Sequence, residues 1–149
     1  MKTYNNKTSY TKKKDQVSNW YIIDAENKIL GRLAKTVAEV ISGKLKVNYV
    51  PYMDMGDNVV IINAKKIAVS GNKEEDKLYH HHSGFPGGLK TATLKQLRAK
   101  DARKVLENAI SGMTPKTRMG KAMLKKVHIF NDANHKYQSK ELKTLKVEE

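Results

Sequence analysis

Apolar positions along this chain alternate between two periods, and that alternation sets the first expectation about its fold. Trp20 to Ala25, WYIIDA, is a short aromatic and β-branched run that suits a buried strand. Leu30, Leu33, Ala34, Val37, Val40 and Ile41 then recur at intervals of three and four, with Gly43 just beyond. Residues 31–42 are therefore expected to form an amphipathic helix that ends at a glycine. Val59 to Ile62 is continuous and β-branched between Gly56-Asp57 and Asn63-Ala64, the pattern of a strand covered on both faces in a parallel sheet. Lys66 to Ser70, KIAVS, is a further short strand candidate, closed by Gly71-Asn72. Thr93 and Gln96 have capping-box spacing before Leu94 and Leu97, and Asp101 can cap a second helix carrying Val105, Leu106, Ala109 and Ile110, stopped by Gly112. After Pro115 a basic stretch, Lys116 to Lys126, leads into the strand-like Val127 to Phe130. Strands alternating with helices favour a layered α/β fold over a bundle or a barrel.

The segments between and around these elements are polar. Residues 1–14 hold five Lys and no acid, a composition too polar to bury a core, and an arm over residues 1–17 is expected to be disordered until bound. Residues 71–92 contain Gly71, Gly84, Gly87, Gly88 and Pro86 with Tyr79, His80, His81, His82 and Phe85, and read as a long functional loop. Residues 132–149 interleave Lys with Glu and read as a weakly ordered tail. One domain over residues 1–149, with its ordered core at about 18–131, is expected, and no internal repeat is present.

Composition narrows the function. The chain has 149 residues, with 29 Lys plus Arg against 15 Asp plus Glu, a net charge of +14, and no Cys. Without Cys, zinc ribbons, iron–sulfur sites and disulfide scaffolds are excluded. The first residues lack the apolar region of a secretory signal, and no apolar run is long enough to span a membrane. A charge this large disfavours the compact state by self-repulsion unless a polyanion is the partner, so nucleic acid leads and an anionic membrane surface comes second. The cations are 25 Lys and 4 Arg. Lys is a flexible point charge suited to phosphate, whereas base reading leans on the Arg fork, although a lysine-rich genome would give the same bias.

Three clusters carry candidate chemistry. His80, His81 and His82 invite a metal, but on a strand His80 and His82 share a face while His81 points away, leaving two ligands where zinc needs three or four. Imidazoles among Lys and Gly are better read as stackers or donors to RNA. Gly84 to Gly87 is a literal GxxG, without the helices that flank it in a KH domain and without P-loop spacing. What remains is a glycine-rich loop whose amides can approach phosphate, ringed by Lys73, Lys77 and Lys90, or a flexible surface turn. Residues 112–126 hold five cations and no acid, which suits phosphate better than solvent; Met119, Ala122 and Met123 there read as core. Asp54 and Asp57 are explained by turn and cap roles at least as well as by catalysis, and no nucleophile elbow, dinucleotide fingerprint or HExxH is present.

With these residues laid out, the chain resembles the L13 family of bacterial-type large-subunit ribosomal proteins from about Trp20 to Phe130. The resemblance is carried by WYIIDA followed by Leu30-Gly31-Arg32-Leu33-Ala34; by Gly56-Asp57, the strand after it and Asn63-Ala64; by Gly71-Asn72-Lys73; by Asp76-Lys77 with Tyr79, His81, Ser83-Gly84 and Gly87-Gly88; and by Gly112-Met113 with Pro115 and Gly120. Ser83 stands where Thr is commoner and Thr114 where an aliphatic is commoner. The resemblance implies a three-layer α/β/α fold around a small parallel sheet, a place in the large subunit of the cytoplasmic ribosome, contact with large-subunit ribosomal RNA and neighbouring ribosomal proteins, and a part in assembly. No catalysis, cofactor, metal, membrane or small-molecule substrate is expected. The candidate RNA contacts are Arg32, Lys44, Lys46, Lys73, Lys77, Tyr79, His80, His81, His82, Gly87, Gly88, Lys90, Lys116, Arg118, Lys121, Lys125 and Lys126. The rival readings are an RNA-modifying or nucleotide-handling α/β enzyme, which lacks its glycine motif and catalytic cluster here, and a peripheral membrane binder, which lacks its apolar helix face.

Overall fold

The computed structural model describes residues 10–12, 14, 16–145 and 147, so most of the expected basic arm, residues 1–9, 13 and 15, lies outside the described residues. Four parallel strands form the central sheet in the order β5-β2-β1-β6: β1 Trp20–Asp24, β2 Asn58–Ile62, β5 Val127–Ile129 and β6 Leu142–Thr144. Helices α1 (Leu30–Ser42), α3 (Leu94–Lys100), α4 (Ala102–Met113) and α5 (Arg118–Leu124) flank it, the layered α/β/α arrangement expected from the sequence. No helix among the described residues is long and apolar enough to cross a membrane.

Register decides which strand residues enter the core. Tyr21 lies beside Val59 and Ile23 beside Ile61, while Val59 and Ile61 lie beside Val127 and Ile129, so these positions share one face. They join Leu33, Val37 and Ile41 of α1 and Leu106 and Ile110 of α4 in one hydrophobic cluster. The alternate positions, Ile22, Val60 and His128, lie on the other face. There Trp20 stacks on His128 with ring centroids 5.6 Å apart, and the Tyr137 ring sits 4.5 Å from His128 with its hydroxyl 3.1 Å from His128 Nδ1.

Helix α1 ends as its sequence requires. Gly43 takes a left-handed φ of 81°, and the N–H groups of Gly43 and Lys44 turn back to the carbonyls of Val40 and Glu39, both at 3.0 Å. Gly56 then lies against that end so closely that a Cβ would stand 1.7 Å from the Ile41 carbonyl oxygen. Only glycine lets the 44–57 segment close over the helix at this distance. The capping box of α3 is present, with Thr93 and Gln96 bonded reciprocally at 3.1 and 3.3 Å, and Asp101 accepts from the Arg103 N–H at the start of α4.

Four segments differ from the sequence expectation. KIAVS forms no strand: its first residue, Lys66, closes a 3-10 turn (Ala64–Lys66), its pairing with the segment before α1 amounts to one bridge, between Ile29 and Ala68, and the Ile67 carbonyl goes to Arg98 at 2.7 Å. The 71–92 loop is a short helix α2 (Lys73–Asp76) and an antiparallel hairpin of β3 (Leu78–His82) and β4 (Leu89–Thr93), whose polar side chains hide its period. Helix α4 runs through Gly112 to Met113 rather than stopping before it. The expected tail carries β6, whose residues pair with Trp20–Ile22 at the edge of β1, and Val147 beyond it is 7% exposed and part of the core.

Candidate nucleic-acid interface

The expected contacts fall into three groups with different chemistry. Lys46 and Lys126 are half-buried and already engaged. Lys46 Nζ lies 2.6 Å from Asp57 Oδ1 and 2.6 Å from the Val17 carbonyl, and Asp57 Oδ1 also accepts from the Asn19 N–H at 2.7 Å. Lys126 Nζ lies 2.7 Å from Asp54 Oδ1 and 2.9 Å from the Gly56 carbonyl. These pairs hold the 44–57 segment against the starts of β1, β2 and β5. Asp54 also accepts from the Gly56 N–H at 3.3 Å, the turn role expected of it, and with both aspartates on their lysines the two cations are tied down rather than presented.

The second group lies around α5. Pro115 directs the chain into this helix, and Gly120 faces the Pro115 carbonyl so closely that a Cβ would stand 1.7 Å from its oxygen. Thr117 caps the helix by accepting from the Gly120 N–H at 3.3 Å. This tight turn exposes Lys116, Arg118, Lys121 and Lys125, none of which forms an ion pair among the described residues. Met123 is buried and Met119 half-buried against the core, as expected, but Ala122 is exposed because it lies on the outer side of α5.

Beside α5 is an open groove of about 1100 Å³, bounded by the second half of α1, residues 44–51 and residues 112–119. Ala38, Tyr49, Pro51, Met113, Pro115 and Met119 give it apolar walls, while Lys35, Lys44 and Arg118 line it as cations. Its one carboxylate, Glu39, faces Lys35 at 4.0 Å. A second hollow of about 580 Å³ takes Gly31, Lys73 and Lys77 in its lining. Gly112 and Met113 line both, so the end of α4 borders the two hollows, the second of which also carries the carboxylate Asp76. The sequence reading found Lys44, Lys73, Lys77 and Arg118 but did not place Lys35, Tyr49 or Met113 at the site; the fold brings Lys35 and Tyr49 there by proximity alone, whereas Met113 stood in the Gly112-Met113 pair.

The third group is the β3–β4 hairpin. His80 and His82 share a face with Leu78, Leu89 and Thr91, while His81 lies opposite Lys90 on the face that carries Tyr79. All three imidazoles are exposed, and no cluster of three His, Cys, Asp or Glu residues suited to a metal exists among the described residues. Tyr79 is half-buried against the core beneath Lys77, whose Nζ lies 5.4 Å from the ring centroid. Burial raises the Tyr79 phenol above its ordinary pKa, so it stays neutral. Gly87 takes a φ of 72°, and a Cβ on Gly88 would stand 2.0 Å from Ser83 Oγ. Both glycines are thus required by the turn itself. Arg98, not singled out from the sequence, braces the base of the hairpin by pairing with Glu74 of α2.

Fold and site together define a small, strongly basic layered α/β protein with exposed cations, among them Lys44 and Arg118, bordering an open groove. Residues 18–136 match the family described as ribosomal protein L13, and the chain belongs to that family. It is 44% identical over 140 residues to the large ribosomal subunit protein uL13 of Mycoplasmopsis synoviae (strain 53), covering 94% of this chain and 97% of that one. The protein of the same description from Legionella pneumophila (strain Corby) is 39% identical over 149 residues, the whole of both chains. That from Geobacter sulfurreducens is 42% identical over 142 residues, 95% of this chain and 99% of the other.

Proposed function

We propose that this chain is a structural, non-enzymatic constituent of the large ribosomal subunit in the cytoplasm, binding large-subunit ribosomal RNA beside neighbouring subunit proteins and supporting assembly. Its relatives carry the name of a large-subunit protein. The observation that carries the RNA contact is the contrast within one basic run: Lys126 is neutralised internally, whereas Lys116, Arg118, Lys121 and Lys125 are exposed and form no ion pair among the described residues. Four like charges held on one short helix and its turn repel one another, and phosphate relieves that repulsion. Arg32, Lys44, Lys73, Lys77 and Lys90 extend the surface, and the exposed His80, His81 and His82 offer rings for stacking and nitrogens for hydrogen bonds. Lys46 and Lys126 act instead as internal braces.

Sedimenting a growing-cell lysate with and without ribonuclease tests this reading. The protein is expected with the large subunit, released by ribonuclease or high salt; most of it running free of RNA would overturn the proposal.

A further inference from the structure

We infer that the groove between α1 and α5 takes one unpaired nucleotide of RNA, its base lying against Met113 and Met119 and its phosphate meeting Lys44 and Arg118. The inference deepens the RNA-binding reading and rests on it. A duplex keeps its base faces stacked and presents phosphates, 2′-hydroxyls and groove edges, so a cationic ridge is enough to hold it. This surface is different: it is a concave space of about 1100 Å³, comparable with pockets that bury whole small ligands at roughly 300–1,000 Å³. Apolar walls with cations at the same opening match the two halves of a nucleotide, a flat π-face and an anion. Met113 is 48% exposed at the end of a helix whose other apolar residues are buried or half-buried, which leaves a soft, polarisable side chain facing the opening. Position supports the same occupant, because the exposed cations of α5 begin at the groove and the end of α4 borders both it and the second hollow. Gly112 adds an independent hint. It sits inside α4, where glycine weakens a helix, yet a Cβ there would meet nothing within 4 Å. The fold does not need that glycine, whereas a strand crossing between the hollows would.

The test uses the full chain with its methionine methyl groups labelled with carbon-13, titrated by NMR with hexa-uridine, hexa-adenosine and a short blunt RNA duplex. The methyl signals of Met113 and Met119 should move with the single strands and not with the duplex, while buried Met55 stays still. Gly112→Leu, which adds bulk but no charge, should weaken single-strand binding about fivefold or more, the lower bound for one lost base stack, with duplex binding unchanged. Circular dichroism and melting confirm that the variant folds. If these methyls ignore every RNA while ribosomal RNA still binds with steep salt dependence, the groove inference falls and the wider reading stands. If no RNA binds, both fall. Equal shifts with the duplex, or shifts with an oligo-glutamate peptide and not with RNA, would also overturn the groove as a nucleotide site.

Discussion

Lys126→Gln is the most informative single change, because the basic run makes this residue look like a phosphate contact and the structure makes it a brace. Its Nζ joins Asp54 at 2.7 Å and the Gly56 carbonyl at 2.9 Å, with the two side chains 17% and 28% exposed. A hydrogen bond to a charged group contributes about 1.5–3 kcal/mol net, and an exposed ion pair under about 1 kcal/mol. Partial exposure places this pair between those limits, so the variant should lose about 1–2 kcal/mol. At about 2–4 °C per kcal/mol for a domain near this size, the midpoint should fall by about 2 to 8 °C. Lys125→Gln, fully on the surface, should stay within about 0.5 kcal/mol. A double-mutant cycle with Asp54→Asn should return a coupling of about 1 kcal/mol, read by urea denaturation. RNA titrations complete the test, since Lys125→Gln should flatten the salt dependence by about 0.7–0.9 in slope and Lys126→Gln should not. An unchanged midpoint for Lys126→Gln, with a slope loss equal to that of Lys125→Gln, would refute the reasoning.

Four further substitutions probe the frame that presents the site. Gly56→Ala forces a Cβ onto the Ile41 carbonyl, backbone against backbone, and should cost about 3 kcal/mol or more, whereas Gly112→Ala should stabilise α4 by about 0.5–1 kcal/mol; urea midpoints in the same order for both would contradict the packing described. Val147→Ala should cost about 1–2 kcal/mol for two buried methyl groups, and no cost at all would mean that the segment after β6 is not part of the core. Burial lowers the His128 pKa, so the folded state favours neutral imidazole: its contribution is complete above the unfolded value of about 6.5 and is lost as pH falls below it. His128→Phe should therefore flatten the decline in melting temperature below about pH 6.5, and a parallel decline in both proteins would show that His128 does not drive it.

What could be read from the sequence divides along a physical line. The strands β1 and β2 and the helix α1 have one dominant apolar period each, and the caps at Thr93, Asp101 and Gly43 obey local geometry, so all were legible. KIAVS misled because its apolar pattern is real, with Ile67 buried, while its first residue belongs to a 3-10 turn, its pairing with the segment before α1 stops at one bridge, and the Ile67 carbonyl meets the Arg98 side chain rather than a neighbouring strand. The β3–β4 hairpin and β6 were hidden for the opposite reason: exposed imidazoles, Thr and Lys occupy strands whose stability comes from pairing rather than burial. The candidate site shows the same division. Charge could be counted, but whether a lysine meets a carboxylate depends on contacts across the chain, such as Lys126 with Asp54, and composition cannot contain that information. The groove is less legible still, because Tyr49, Met113 and Lys35 meet only after three separate segments close around it.

The central claim is that specific exposed cations, not net charge, bind ribosomal RNA. Its most direct measurement is the affinity of the isolated protein for large-subunit ribosomal RNA fragments as a function of salt, for the parent and two variants of equal charge. If about six phosphates are neutralised, the parent slope of log K against log salt should be roughly −4 to −5. Replacing Lys116, Arg118, Lys121 and Lys125 with Gln should make it shallower by about 3. Replacing Lys65, Lys66, Lys95 and Lys104, with the first three paired to Asp132, Glu26 and Glu75, should change it far less. Equal losses from the two variants, or a parent slope near zero, would contradict the account.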